Sequence, residues 1–149
     1  MNVLDHLIEE HRNAEQLIAT LQNSEPGRTR ASVLAELSDA LDLHMEVEER
    51  DVYPIVQEHL GDAKADAAEE EHSEARDLLS QLADQLDSGD FTATVASLET
   101  ALQHHIREEE GEIFPALRER AGDEIAALGD ADEVESEVEA ELSEERSPR

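Results

Sequence analysis

The sequence predicts an all-α protein: an antiparallel up-down-up-down four-helix bundle with an acidic C-terminal tail that has a pattern for a short fifth helix. Three observations predict it. Apolar residues recur at spacings of 3 and 4, the signature of amphipathic helices. No segment alternates as a strand would, and aromatic residues make up only 2% of the chain. Four long helical segments are separated by short breaks, which favours neighbouring antiparallel helices.

The first helix is expected over 2–23, with Leu4, Leu7, His11, Ala14, Ile18 and Leu21 along one side. Ser24-Glu25-Pro26-Gly27 breaks it. The second is expected over 29–60, with Leu34, Leu37, Leu41, His44, Glu48 and Ile55 on its stripe. Gly61 ends it, and Asp62 is the expected N-cap of the third. That helix is expected to reach about residue 87, aligning Ala68, His72, Ala75, Leu79, Leu82 and Leu86. After Asp87-Ser88-Gly89-Asp90, the fourth is expected over 91–120, with Val95, Leu98, Leu102, His105, Glu109 and Ile113 aligned. Pro54 and Pro115 fall inside the second and fourth helices. Each removes a backbone donor and crowds the preceding turn, so either a kink or a helix end is expected there.

Residues 1–120 are therefore read as the bundle domain and 121–149 as an acidic tail. In the tail, Val134, Val138 and Leu142 give a weak helical stripe, and a blunt acidic segment is the competing reading. The terminal Ser147-Pro148-Arg149 is expected to be disordered.

The two helical hairpins repeat with an offset of 61 residues, and they repeat chemistry. His11 maps to His72, His44 to His105, Glu48 to Glu109 and Pro54 to Pro115. Glu10, Glu49 and Glu58 map to Glu71, Glu110 and Glu119, and Tyr53 maps to Phe114. Each hairpin thus brings two histidines and one glutamate, all on inward stripes. A glutamate on such a stripe costs several kcal/mol if left unpaired. No lysine or arginine shares those stripes near Glu48 or Glu109.

A pair of cations removes the problem. His44 with Glu48, and His105 with Glu109, stand at i and i+4 and share a helix face. Carboxylates can bridge two cations while imidazoles cap each one. The candidate metal ligands are His11, His44, Glu48, His72, His105 and Glu109. A nitrogen and oxygen set without sulfur suits two iron ions, with manganese or zinc as weaker fits.

Other metal patterns fit less well. Glu69 with His72 gives one Glu-x-x-His match, but the second hairpin half needed for a ferritin-like site is missing. HExxH is absent. His104, followed by Glu108, is a one-residue register alternative to His105 with Glu109. Tyr53 has two readings: packing at the bundle end, where it is displaced around the helix from Glu48, or a supporting or direct role at the metal.

The formal net charge of −29 repels phosphate backbones and anionic membranes, so no nucleic-acid partner is expected. Adaptation to high salt, or a solvated acidic surface, explains that charge most simply. The chain has no cysteine, which excludes disulfides, thiolate ligands and thiol nucleophiles. Its start lacks a signal-peptide pattern, and no apolar run approaches membrane-spanning length, so the expected location is cytoplasmic.

The segments EEHRNAEQLI, HMEVEERDVYPIV, EEEHSEARDLL and HHIREEEGEIFPAL resemble the hemerythrin family, in its HHE cation-binding branch. The resemblance covers about residues 2–120. It implies a hemerythrin-like bundle around a non-heme di-iron centre that binds dioxygen reversibly in respiratory members. His11 and His44 would cap one iron, His72 and His105 the other, with Glu48 and Glu109 bridging.

Two departures stand out. Arg76 occupies the place of a further histidine in respiratory members, and the fourth-helix carboxylate is Glu109 at i+4 rather than a more distant aspartate. Arg76 either supports the site, pairing with Glu15 across the bundle, or lies on the surface. The functional expectation is a binder of dioxygen or nitric oxide for sensing, storage or buffering. The alternatives are a catalase- or peroxidase-like enzyme acting on hydrogen peroxide, and an iron-handling protein whose acidic tail meets a partner.

Overall fold

The computed structural model describes residues 1–146, so Ser147-Pro148-Arg149 lie outside the described residues. The described residues are helical, with no strand. Helix α1 (Val3–Gln22) starts where the Asn2 side chain accepts the Asp5 amide at 2.9 Å. It buries the expected stripe from Leu4 to Leu21. Gly27, at φ 146°, turns the chain into α2 (Arg28–Val47).

The second long helix then passes through a π-helical turn, π1 (Glu48–Val52), and continues as α3 (Tyr53–Leu60). Gly61, at φ 99°, reverses the chain directly into α4 (Asp62–Asp84). Here Gly61, and not Asp62, occupies the cap position; Asp62 is already helical. Helix α4 also stops earlier than its apolar pattern suggests. Gln85 to Gly89 turns instead, with the Ser88 amide on the Gln85 carbonyl at 2.8 Å, while Leu86 still packs on the core. Helix α5 (Phe91–Glu108) leads through π2 (Glu109–Ile113) into α6 (Phe114–Arg120). Two further helices follow, α7 (Gly122–Ala127) and α8 (Ala131–Arg146).

The two prolines therefore neither end nor simply kink their helices. Each follows a widened turn. The Tyr53 amide reaches back five residues to the Glu48 carbonyl, and the Phe114 amide reaches the Glu109 carbonyl. The extra residue absorbs the donor that proline lacks, and such turns recur at functional sites. Both begin at the glutamates of the repeat.

The core divides into two clusters. One joins Leu4 and Leu7 with Val52, Val56, Ala68 and Phe114; the other joins Ile18 and Leu21 with Leu34, Leu37, Leu82 and Val95. The start of α1 thus meets the end of the second long helix, so these two run in opposite senses. The same reasoning applies to α4 against α2. Each fully buried leucine contributes roughly 1.5–3 kcal/mol. At the turn end, buried Arg30 bonds Ser24 and the Leu86 carbonyl and lies 4.1 Å over the Phe91 ring, tying the two inter-helix turns together.

The acidic segment takes up the helical option. Ile125, Val134 and Val138 are buried in the first cluster, and Leu142 packs against it. Helix α8 lies on α2 and α1, with Arg50 paired to Glu137 at 3.2 Å and to Glu141 at 3.4 Å. No helix among the described residues is long and apolar enough to cross a membrane.

Candidate metal centre

Four imidazoles and two carboxylates meet between the two core clusters. His11, His44, His72 and His105 are each no more than 4% exposed, and Glu48 and Glu109 are fully buried. They come from α1, α2, α4 and α5, with each glutamate at the first position of its π turn. Glu48 Oε1 lies 3.1 Å from Nε2 of both His44 and His72. Glu109 Oε1 lies 3.1 Å from His11 Nε2 and 3.3 Å from His105 Nε2. Each carboxylate thus touches a histidine of either hairpin, and Glu48 Oε1 also lies 3.7 Å from His105 Nε2. Two compact donor groups result, His11 with His44 and Glu109, and His72 with His105 and Glu48; the donor atoms of each lie within 4.8 Å of one another.

The outward nitrogen of every imidazole also has a carboxylate. His11 Nδ1 meets Glu110 at 2.7 Å, and His72 Nδ1 meets Glu49 at 2.6 Å. His44 Nδ1 meets Glu10 at 3.1 Å, and His105 Nδ1 meets Glu71 at 2.7 Å. These four contacts obey the 61-residue offset pair by pair. Hydrogen-bonded this way, each ring presents Nε2 inward in a defined orientation, the usual support for a metal-binding histidine. Sequence reasoning assigned no role to these four glutamates, although the repeat had already marked all of them.

Tyr53 enters the centre. Its hydroxyl donates to Glu109 Oε2 at 2.8 Å and lies 2.9 Å from His72 Nε2. The π turn brings it back over Glu48, so the displacement expected from α-helical geometry does not occur. Its counterpart Phe114 instead stacks near His11, with ring centroids 6.2 Å apart. At this repeated position the two halves therefore differ by one hydroxyl.

Arg76 does not pair with Glu15. It reaches Glu49 at 3.0 Å and Glu46 at 3.3 Å, behind His72. Glu15 pairs with Arg12, which also holds Glu110 behind His11. His104 points outward at 65% side-chain exposure, pairing with Glu71 and Glu108. Glu69 is exposed as well.

The electrostatics suit a cation. Burial alone would depress the His44 imidazolium, but the Glu48 charge and the bond to Glu10 outweigh it, and His44 is pushed up to about 10. Burial also opposes charge on His105 and His72, yet Glu109 holds His105 well above its ordinary value and Glu48 raises His72. Glu48 sits well below the carboxylate range despite its burial, chiefly through the His44 charge. Burial, then Glu48 and Glu109, keep the Tyr53 phenol protonated. Protons thus stand where metal charge would act.

At the centre Glu48 Oε2 is buried without a hydrogen-bond partner, and His44 Nε2 has only the poorly aligned ion-pair contact with Glu48 Oε1 at 3.1 Å. An unsatisfied carboxylate oxygen in a buried site is costly, and a cation would satisfy it and give the His44 nitrogen an aligned partner. The residues present fit a metal.

Beside the imidazoles lies a small cavity of about 20 Å³. All four rings border it, together with Ala14, Leu41, Met45, Ala75, Leu102, Ile106 and the carboxylate-bearing Glu71. That volume holds about one water-sized molecule.

The family model described as Hemerythrin HHE cation binding domain matches residues 2–117. A protein named DNA nickase, from Nostoc sp. (strain PCC 7120 / SAG 25.82 / UTEX 2576), is 28% identical over 125 residues. That match covers 83% of this chain and 36% of the relative, so the chain spans about a third of its relative's length. The helical bundle, the paired His/Glu groups at its centre and the match over most of the chain converge: this protein belongs to the hemerythrin HHE cation-binding domain family.

Proposed function

We propose that this chain is a non-heme di-iron protein that binds dioxygen or a related small ligand such as nitric oxide, for sensing, storage or buffering. His11 and His44 would hold one ion, His72 and His105 the other, and Glu48 and Glu109 would bridge them. When bound, the ion pair would supply redox capacity and Lewis acidity toward a small ligand. The observation that carries the reading is the cavity of about 20 Å³ against all four imidazoles. Apart from the four imidazoles and Glu71 its walls are apolar, which favours a small uncharged molecule. The outer glutamates fix the imidazoles, so little reorganisation accompanies ligand entry.

The reading is tested on iron-loaded, anaerobically reduced protein mixed with dioxygen or nitric oxide in a stopped-flow spectrometer. A charge-transfer band that disappears on deoxygenation is expected. Irreversible oxidation without an adduct overturns it.

A second reading, peroxide degradation, is favoured by Tyr53. Its hydroxyl is a proton donor held inside the centre, 2.8 Å from Glu109. Repeated turnover of hydrogen peroxide, above that of free iron and abolished in Glu48→Ala, would select it.

The formal charge of −29 supports the further proposal that this chain does not engage nucleic acid. A gel shift of plasmid DNA at low salt would refute it.

A further inference from the structure

We propose that His6, Glu10 and Glu135 form a third cation site, separate from the four-imidazole centre. It would take a divalent metal that accepts nitrogen and oxygen donors, such as Mn²⁺, Fe²⁺ or Zn²⁺. This goes beyond the di-iron reading and does not depend on it.

His6 and Glu10 stand at i and i+4 on α1, so both side chains leave the same face. Glu135 reaches them from α8. His6 Nε2 lies 2.6 Å from Glu135 Oε1 and 3.6 Å from Glu10 Oε2. One donor atom from each residue falls within 4.8 Å of the other two, the geometry of a three-point grip. All three are partly buried, at 20–24% side-chain exposure, along the seam where α8 meets the bundle.

Among the described residues, this stretch of the seam shows no fixed cation. Glu137 and Glu141, on the next turns of α8, share Arg50. Among the described residues, no arginine or lysine pairs with Glu10 or Glu135; imidazoles are their only basic partners. Two carboxylates therefore face each other across one imidazole. A histidine with two carboxylates is a donor set for the metals named above.

Two other His/Glu groups, Glu58–His59–Glu124 and Glu71–His104–Glu108, are weaker candidates. Each contains a side chain that is 65% exposed, Glu58 or His104.

Two consequences follow. Glu135 lies outside residues 2–117, so the site would be an addition of this chain to the family core, closed only when α8 is docked. Glu10 would be shared, with Oε2 on the new site and Oε1 held 3.1 Å from His44 Nδ1. A cation there would staple α8 and stiffen the support of the main centre together.

The test uses the full chain, stripped of metal and titrated with Zn²⁺, with bound metal counted by equilibrium dialysis and elemental analysis. Wild type is compared with His6→Ala and with the near-isosteric Glu135→Gln. Both variants should bind one equivalent fewer than wild type and keep those at the four-imidazole centre. They should also lose the rise in melting temperature that accompanies the last equivalent. If both variants bind as many equivalents as wild type, the three side chains are an ordinary ion pair and the proposal fails. Loss of the central equivalents in His72→Ala, with this one retained, supports the third site. Failure of His72→Ala to lose any equivalent tells instead against the di-metal reading.

Discussion

Replacing Glu49 by glutamine would show how far the outer carboxylates support the centre. Glu49 accepts from His72 Nδ1 at 2.6 Å and from Arg76 at 3.0 Å. Glutamine keeps the shape and one acceptor but removes the charge. A charge-assisted bond exceeds a neutral one by about 1 kcal/mol, and partial exposure of Glu49 screens part of that. With both such bonds weakened, the metal-free protein should lose about 1–2 kcal/mol and melt roughly 2–8 °C lower.

The larger effect falls on metal affinity. Removing such a support typically costs roughly 10–100-fold, or about 1.4–2.7 kcal/mol. The repeat sharpens the expectation, because Glu110 does for His11, at 2.7 Å and with Arg12 behind it, what Glu49 does for His72. Glu110→Gln should cost the same within experimental scatter. Competition against a chelator of known affinity measures both variants. An effect below roughly threefold in either, or a difference beyond tenfold between them, would refute the reasoning.

Three further outcomes are expected. His44 is raised to about 10 in the metal-free fold, so its contribution to stability is complete below the ordinary imidazole value of about 6.5 and is lost as pH rises through about 10. Metal-free protein should accordingly melt lower at about pH 10.5 than at about pH 6, whereas metal binding should tighten over that range and release protons that an indicator dye detects. Tyr53→Phe leaves buried Glu109 Oε2 without its phenolic donor, so thermal melts of the metal-free variant should show a loss of about 1–3 kcal/mol; an unchanged melt would contradict the hydrogen bond. Val138→Asp places a charge at a 2% exposed position, so α8 should detach and become protease-sensitive while the four-imidazole centre keeps its metal stoichiometry; loss of that metal would show that residues 1–120 do not hold the centre unaided.

Much of the fold was legible because it is local. The 3.6-residue period places Leu4, Leu7, Ile18 and Leu21 on one face of α1 whatever packs against them, and the same rule brought His11, His44, His72 and His105 inward. The helix ends were less legible. Leu86 continues the apolar stripe of α4, yet the backbone has already turned, because Gly89 and the hydrogen bond from Ser88 to Gln85 compete with one more helical turn.

The chain alone determined the class of fold, the two matching halves, and which six side chains were inward candidates, since repetition and periodicity survive in one dimension. Contacts between remote segments needed three dimensions. Glu10, Glu49, Glu71 and Glu110 were visible as repeated letters, but only packing shows each one behind an imidazole from another helix. Helical periodicity also places Tyr53 away from Glu48. A π turn before Pro54 returns its hydroxyl to the centre, because the missing proline donor is absorbed by one extra residue per turn. The berth of α8 was equally hidden: Val134 and Val138 form a weak stripe that becomes a helix face only when the apolar surface of the bundle covers it.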